Sequence, residues 1–310
     1  MDALTKYPVR KSKKQKASFR KAVCVYAQQL GYPVSEETGK FGAKNIVMGN
    51  PEKANYLVTA HYDTCAWLPV PNVIMPCNFW LFQLLILLQV AFFTFVFLCV
   101  TNGAIHIFGD HRFSAVLGIL GVVLLAALML TGPANRHNAN DNTSGVVTLL
   151  EMMRTMPENQ RHKVCFVLFD LEEVGMIGSA SYRKAHEAAS DHQMVLNLDC
   201  VGDGDHLVMF PTKPLKKDRK KLTSLYRYCG YFGKKSLTVH EKGFSIFPSD
   251  QLMFPYGVGI CALRKCKMGL YVGRIHTSKD TVLEETNVNI LRAALISYIC
   301  CDAAQYERKK

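Results

Sequence analysis

Five side chains that bind metals well fall along the 310-residue chain in separate short motifs: His61, Asp141, Glu173, Asp199 and His276. Two further acids stand beside them, Asp63 in His61-Tyr62-Asp63 and Glu172 in Asp170-Leu171-Glu172-Glu173. Two imidazoles and three carboxylates suffice to hold a pair of hydrolytic zinc ions. Such a site needs one bridging carboxylate, about two terminal donors per ion and room for a water between the ions. A spare acid next to a ligand can then move protons.

The neighbours of each residue show what it can do. His61 can bind through one ring nitrogen while Asp63 holds the other. Ala139-Asn140-Asp141-Asn142-Thr143-Ser144-Gly145 leads into an amphipathic segment. Its Asp, Asn, Thr and Ser residues are all helix-capping types, and an Asp at such a junction can bridge two cations. In the run from Phe166 to Ser179, adjacent acids at a strand end point in different directions. One can face a metal and its neighbour the water beside it, and Gly175 and Gly178 permit a close approach. Asn197-Leu198-Asp199-Cys200-Val201-Gly202 and Arg274-Ile275-His276-Thr277-Ser278-Lys279-Asp280-Thr281 supply the last Asp and the last His.

Alternating strand-like and helix-like stretches must carry these groups. Asn45 to Met48, Tyr56 to Ala60, Val164 to Phe169 and Met194 to Leu198 read as strands. His61, the Asp170–Glu173 acids and Asp199 follow three of them, at the C-terminal ends where open α/β sheets place ligands. Helical patterns run over Ser144 to Met156, Ile177 to Ala189, Leu215 to Tyr228 and Thr286 to Ala304. A basic-headed helix carries Val23, Tyr26, Ala27 and Leu30 and stops at Gly31. The alternation predicts an α/β three-layer sandwich around a central mixed, mostly parallel sheet.

At this point the chain resembles the two-zinc (co-catalytic) aminopeptidases, relatives of glutamate carboxypeptidase and glutaminyl cyclase. The resemblance spans about residues 40 to 306 outside one insertion, and Ser249-Asp250 with Phe254 and Gly257 fits the family loop before the last strands. The resemblance implies two Zn2+ per chain. His61, Asp141 and Asp199 would bind one, and Asp141, Glu173 and His276 the other. Glu172 would be general base and then general acid, and Asp63 would orient His61. The implied reaction is hydrolysis of N-terminal residues from peptides or related amides. Two alternatives share the fold: a one-zinc acyl transferase like glutaminyl cyclase, and an inactive membrane scaffold.

The insertion is residues 79–130. Phe79 to Val100 and Phe113 to Leu130 are uncharged runs of 22 and 18 residues. As helices they span roughly 33 Å and 27 Å, against about 30 Å of bilayer hydrocarbon. They predict a transmembrane hairpin set into a catalytic domain made of residues 1–78 and 131–310, the alternative being a buried helical pair. A hairpin returns the chain to the side it left, and nearly all Lys and Arg lie outside it, so the positive-inside rule directs the catalytic domain to the cytoplasm. The 11 scattered cysteines without a Cys-x-x-Cys pair fit a reducing compartment, and the first 20 residues have no apolar core for a cleavable signal.

Net charge is +12. One basic cluster covers residues 6–21, with eight Lys and Arg from Lys6 to Lys21 and no acid. A second covers residues 213–235. No nucleic-acid module accompanies them, so the lipid headgroups beside the hairpin are the expected acidic partner, with a solvated helix face as the alternative. The insertion separates Asp63 from Asp141 and should hold the catalytic mouth near the bilayer, which points to an apolar or membrane-associated peptide or amide substrate.

Overall fold

The computed structural model describes residues 7–68, 72–108, 111–241, 243, 245 and 247–307. Lys6 of the first basic cluster and Asp110 of the hairpin linker lie outside them. In chain order the elements are α1 (Lys13–Gln29), β1 (Val34–Thr38), β2 (Lys44–Met48), β3 (Tyr56–His61), α2 (Phe79–Phe108), α3 (His111–Thr131), α4 (Gly145–Thr155), β4 (Val164–Phe169), α5 (Ile177–Ala185), α6 (Glu187–Ser190) and β5 (Met194–Leu198). Then follow β6 (His206–Pro211), α7 (Lys213–Lys217), α8 (Arg219–Tyr226), β7 (Gly230–Phe232), β8 (Lys235–Val239), β9 (Gly257–Cys266), β10 (Gly269–Tyr271) and α9 (Glu285–Glu307).

The strands form one mixed sheet in the order β1-β2-β4-β3-β5-β9-β6-β8-β7, with β10 on β9. β4, β3, β5 and β9 are parallel to one another at its centre, and the β1/β2, β2/β4, β6/β9 and β7/β8 pairs are antiparallel. Both faces are covered, as an α/β sandwich requires. Ile46, Val58, Ala60, Phe166, Leu168 and Leu196 pack on one face against α1, α4 and α9. Their alternate neighbours Val47, Leu57, Val167, Phe169 and Val195 pack on the other face with Tyr182 of α5 and Phe254. That period of two is what a strand buried on both sides must show.

Three helical boundaries differ from the sequence reading, each for a local reason. Ile177–Ala189 is broken at His186, whose ring turns to the carboxylates of Glu37 and Glu52. Leu215–Tyr228 is broken at Asp218, which leaves the helix to cap α8 by accepting from the Lys221 N–H. The helix predicted to end at Val100 continues to Phe108. There the Thr101 hydroxyl satisfies itself on the carbonyls of Phe97 and Leu98, and α3 packs closely enough that a side chain on Gly118 would collide with Phe97 and Thr101.

The two long helices stand with apolar side chains outward: Trp80 is 75% exposed, Phe95 65% and Ile119 61%. One described helix, Phe79–Ile107, is long and apolar enough to cross a membrane, and none of its apolar window is buried in the protein. Exposed apolar surface on this scale marks an association site. The root of the pair is stitched to the sheet: Ala66 bridges Ala134, Trp67 N–H donates to Pro133, and Lys11 Nζ donates to the Leu130 carbonyl at the end of α3.

The first basic cluster is not a uniform outer face. Lys13, Lys14 and Lys21 are exposed, but Arg10, Lys16 and Arg20 point inward. Lys16 Nζ lies 2.7 Å from Asp170 Oδ1, and Arg20 reaches Glu36 at 3.0 Å and the Tyr62 hydroxyl at 3.2 Å. Those three cations therefore serve the fold rather than lipid headgroups. In the second cluster Lys213, Lys217, Arg219, Lys220, Arg227 and Lys234 are exposed, while Lys235 is buried between Asp205 and Glu284.

Candidate metal centre

Sheet order assembles the site. β4, β3 and β5 are parallel neighbours, and His61 is level with Phe169 across the β3/β4 pair. The strand ends that carry Asp170–Glu173, His61 and Asp199 therefore lie side by side. Asp141 comes from the turn before α4, and His276 from the loop between β10 and α9. All five sequence-predicted donors, with Glu172 and Asp63, converge on one buried cluster.

The donor atoms form two groups that share Asp141. His61 Nε2 lies 3.3 Å from Asp141 Oδ1 and 3.6 Å from Asp199 Oδ1. His276 Nε2 lies 3.0 Å from Asp141 Oδ2 and 3.4 Å from Glu173 Oε2. Two donors each about 2.0–2.1 Å from one tetrahedral ion are about 3.3 Å apart, so these separations suit neighbouring ligands of an ion. Asp199 Oδ1 and Glu173 Oε1 are also buried without a hydrogen-bond partner, which is costly for a carboxylate unless a cation compensates it. The donor set thus fits divalent metal on either side of Asp141.

Asp63 does more than face the His61 ring, whose Nδ1 is 3.5 Å away. Its two oxygens accept from the N–H groups of Glu172 and Glu173, at 3.1 and 3.3 Å. One carboxylate therefore faces the imidazole at the end of β3 and holds the backbone of both glutamates in the loop after β4.

The polar groups around the cluster were not singled out by sequence. Asn142 spans three segments: its amide donates to Leu198 and His61 carbonyls, and its oxygen accepts from Gly145 and Cys200 N–H groups. A side chain on Gly145 would collide with the Leu198 carbonyl and Asn142, so this approach requires glycine. Asp280 accepts from the N–H groups of Asn140 at 2.7 Å and Asp141 at 3.1 Å, holding the shared carboxylate's backbone. Both lie inside runs quoted from the sequence, so their motifs were visible even though their roles were not. Arg10, fully buried, reaches the site from 52 and 133 residues away in sequence with no local signal: it donates to the Tyr62 carbonyl at 2.6 Å and to Thr143 Oγ1 at 3.1 Å.

Leu171, Cys200 and His276 have left-handed backbones at φ 57°, 54° and 60°. Such non-glycine conformations cost about 1–3 kcal/mol each and persist where the surroundings over-determine them. Here each sits at or beside a candidate ligand.

The electrostatics follow from crowding. Burial, then the charges of Glu173, Asp250 and Asp199, hold Glu172 well above the usual carboxylate range against the pull of His61. Burial and Asp141 do the same for Glu173. Burial would raise Asp141 too, but hydrogen bonds from His276 and His61 bring it below that range. Burial opposes protonation of His61, yet Glu172, Asp141, Asp199 and Asp63 together raise it well above normal. Asp250, also buried, is pushed up to about 7 by burial, with Asp63 and Asp199 adding to it.

The fold is that of the zinc exopeptidases and glutaminyl cyclases. The chain superposes on the glutaminyl cyclase of Porphyromonas gingivalis with a TM-score of 0.62 at 15% identity, covering 97% of this chain and 95% of that one. A Zn-dependent exopeptidase from Parabacteroides distasonis gives 0.61 at 15% identity, over 96% and 94%. The LapA aminopeptidase of Legionella pneumophila gives 0.57 at 14% identity, over 96% and 69%. The family profile described as "Peptidase family M28" matches residues 123–297. The chain belongs to peptidase family M28, a family of zinc-dependent metallopeptidases. The matched span contains Asp141, Glu172, Glu173, Asp199 and His276, and His61 precedes it. No curated protein matches the sequence.

Proposed function

We propose that the chain is a membrane-anchored zinc aminopeptidase that holds two ions, with His61, Asp141 and Asp199 on one and Asp141, Glu173 and His276 on the other. The observation that carries this is Asp141: its Oδ1 faces His61 and its Oδ2 faces His276, as a bridging carboxylate must. Bound zinc would polarise the scissile carbonyl and acidify the attacking water.

The chain's own residues do the rest. Glu172 takes the proton of the attacking water and returns it to the leaving amine. Asp63 keeps Glu172 and Glu173 in register by binding both backbone N–H groups, so proton carrier and ligand stay fixed relative to each other. His61, Asp63, Asp141 and Asp199 are buried, which strengthens their electrostatic interactions.

Residues 1–78 and 131–310 are on this reading the catalytic unit and residues 79–130 its membrane insert. The insert crosses the bilayer twice, and the positive-inside rule directs the catalytic unit to the cytoplasm. The chain segments flanking the insert lie next to the metal centre: Leu68 N–H donates to the His276 carbonyl, and Asn135 N–H to the Cys65 carbonyl. A mouth so close to the bilayer favours an apolar or membrane-associated N-terminal substrate.

The test is a panel of aminoacyl amides and apolar peptides, assayed with and without chelator on the detergent-solubilised chain, with metal counted by elemental analysis. Two ions per chain and chelator-sensitive release of N-terminal residues are expected. Glu172→Gln should lower turnover by roughly 10²–10⁴ while fold and metal count persist. One ion per chain with cyclisation of glutaminyl substrates in place of hydrolysis would overturn the reading, as would undiminished cleavage by Glu172→Gln.

A further inference from the structure

Cys65 lies on the loop after β3, four residues beyond His61, and is 1% exposed. Its backbone is fixed, since its carbonyl accepts from Asn135 N–H and the next residue bridges Ala134. Its sulfur, a Glu173 carboxylate oxygen and a His276 ring nitrogen all lie within 4.8 Å of one another. Glu173 Oε1 is buried there without a hydrogen-bond partner, on a side chain 7% exposed. The other fully enclosed thiols, Cys165, Cys200 and Cys261, stand in no such His–carboxylate group among the described residues.

We propose that Cys65 is a metal donor on the His276 side of the centre, completing a mixed set of Asp141, Glu173, His276 and Cys65. This rests on the two-ion reading above. The set differs in kind from the all-nitrogen-and-oxygen set of His61, Asp141 and Asp199. A thiolate selects zinc over harder ions such as manganese and magnesium, which prefer oxygen. On ligation the thiol proton passes to bulk water as the sulfur–metal bond forms, and nothing is oxidised. The second position then carries four protein donors, the number typical of a closed site, whereas the first carries three and stays open to water. The His61 side is then the more open to water, and the His276 side the more firmly held and zinc-selective.

The experiment uses the full chain in detergent, stripped with chelator and reloaded with cobalt(II). The wild-type chain is expected to show near-ultraviolet sulfur-to-cobalt charge-transfer absorption. Cys65→Ser should lose that band while retaining its cobalt count, and its zinc-over-manganese preference should fall about tenfold or more, since even outer-sphere partners of a metal ligand are worth that much affinity. If Cys65→Ser fails to fold, the wild-type chain still decides the matter. Zinc-edge X-ray absorption of the loaded wild-type chain should then show a sulfur ligand at about 2.3 Å, and a ligand shell of nitrogen and oxygen alone refutes Cys65 as a donor. Full cobalt loading with no sulfur band, or a band unchanged in Cys65→Ser, refutes Cys65 as a donor and leaves the peptidase reading standing. A chain that takes up no divalent ion refutes both.

Discussion

Arg10→Met tests whether the N-terminal segment is part of the catalytic centre. The guanidinium is fully buried and makes three hydrogen bonds, to the carbonyls of Tyr62 (2.6 Å) and Tyr7 (2.9 Å) and to Thr143 Oγ1 (3.1 Å). Burial lowers its pKa to about 10 while Asp63 and Asp141 oppose that fall, so it stays charged at neutral pH. Hydrogen bonds from a charged donor contribute about 1.5–3 kcal/mol each, a gross range of about 4.5–9 kcal/mol for three. Desolvation of the guanidinium offsets part of this, and removing one side of a buried charged network costs about 3–5 kcal/mol net. At roughly 2–4 °C per kcal/mol for a domain of this size, the melting midpoint should fall by about 6–20 °C.

The sign of the metal effect is fixed by the same charges. In the stripped chain Arg10 is a buried cation near enough to Asp63 and Asp141 for their charges to act on it. In the loaded chain divalent ions share that duty. Arg10→Met should therefore cost more stability in chelator than with zinc. Thermal melts of the detergent-solubilised chain in both conditions measure this. A loss under about 1 kcal/mol in both, or a loss larger with zinc than without, would refute the assignment of Arg10 to charge compensation.

Three further outcomes follow from the same geometry. Gly145→Ala drives a methyl group into the Leu198 carbonyl and Asn142, so metal content and stability should both fall, by about 1–3 kcal/mol in a denaturant titration for an overpacked buried site. Asp63→Asn sets an amide donor against the N–H groups of Glu172 or Glu173, and metal affinity or turnover should drop about 10–100-fold, read by metal-buffered activity assays. Chelation of the wild-type chain should lower the melting midpoint reversibly, because an ion at 100 times its Kd stabilises the folded chain by about 2.7 kcal/mol; re-adding zinc restores it.

What the sequence by itself determined is local and periodic. The strands ending at His61, Phe169 and Leu198 are apolar runs buried along their whole length, and the acids and histidine at their ends are set there by chain connectivity alone. The two uncharged helices are equally legible, because length and hydropathy need no partner to be read. Tertiary structure decided which strand ends become neighbours. The order β4-β3-β5 brings Glu173, His61 and Asp199 together, and no feature of the separate runs encodes that pairing. It also decided which of the seven described cations in residues 7–21 are solvated: Arg10, Lys16 and Arg20 are chemically like their neighbours, and only the carboxylates and carbonyls that the fold presents to them distinguish them. Asn142, Asp280 and Cys65 belong to the same class. Their roles are contacts between segments far apart in the chain, and a contact of that kind exists only once the sheet has formed.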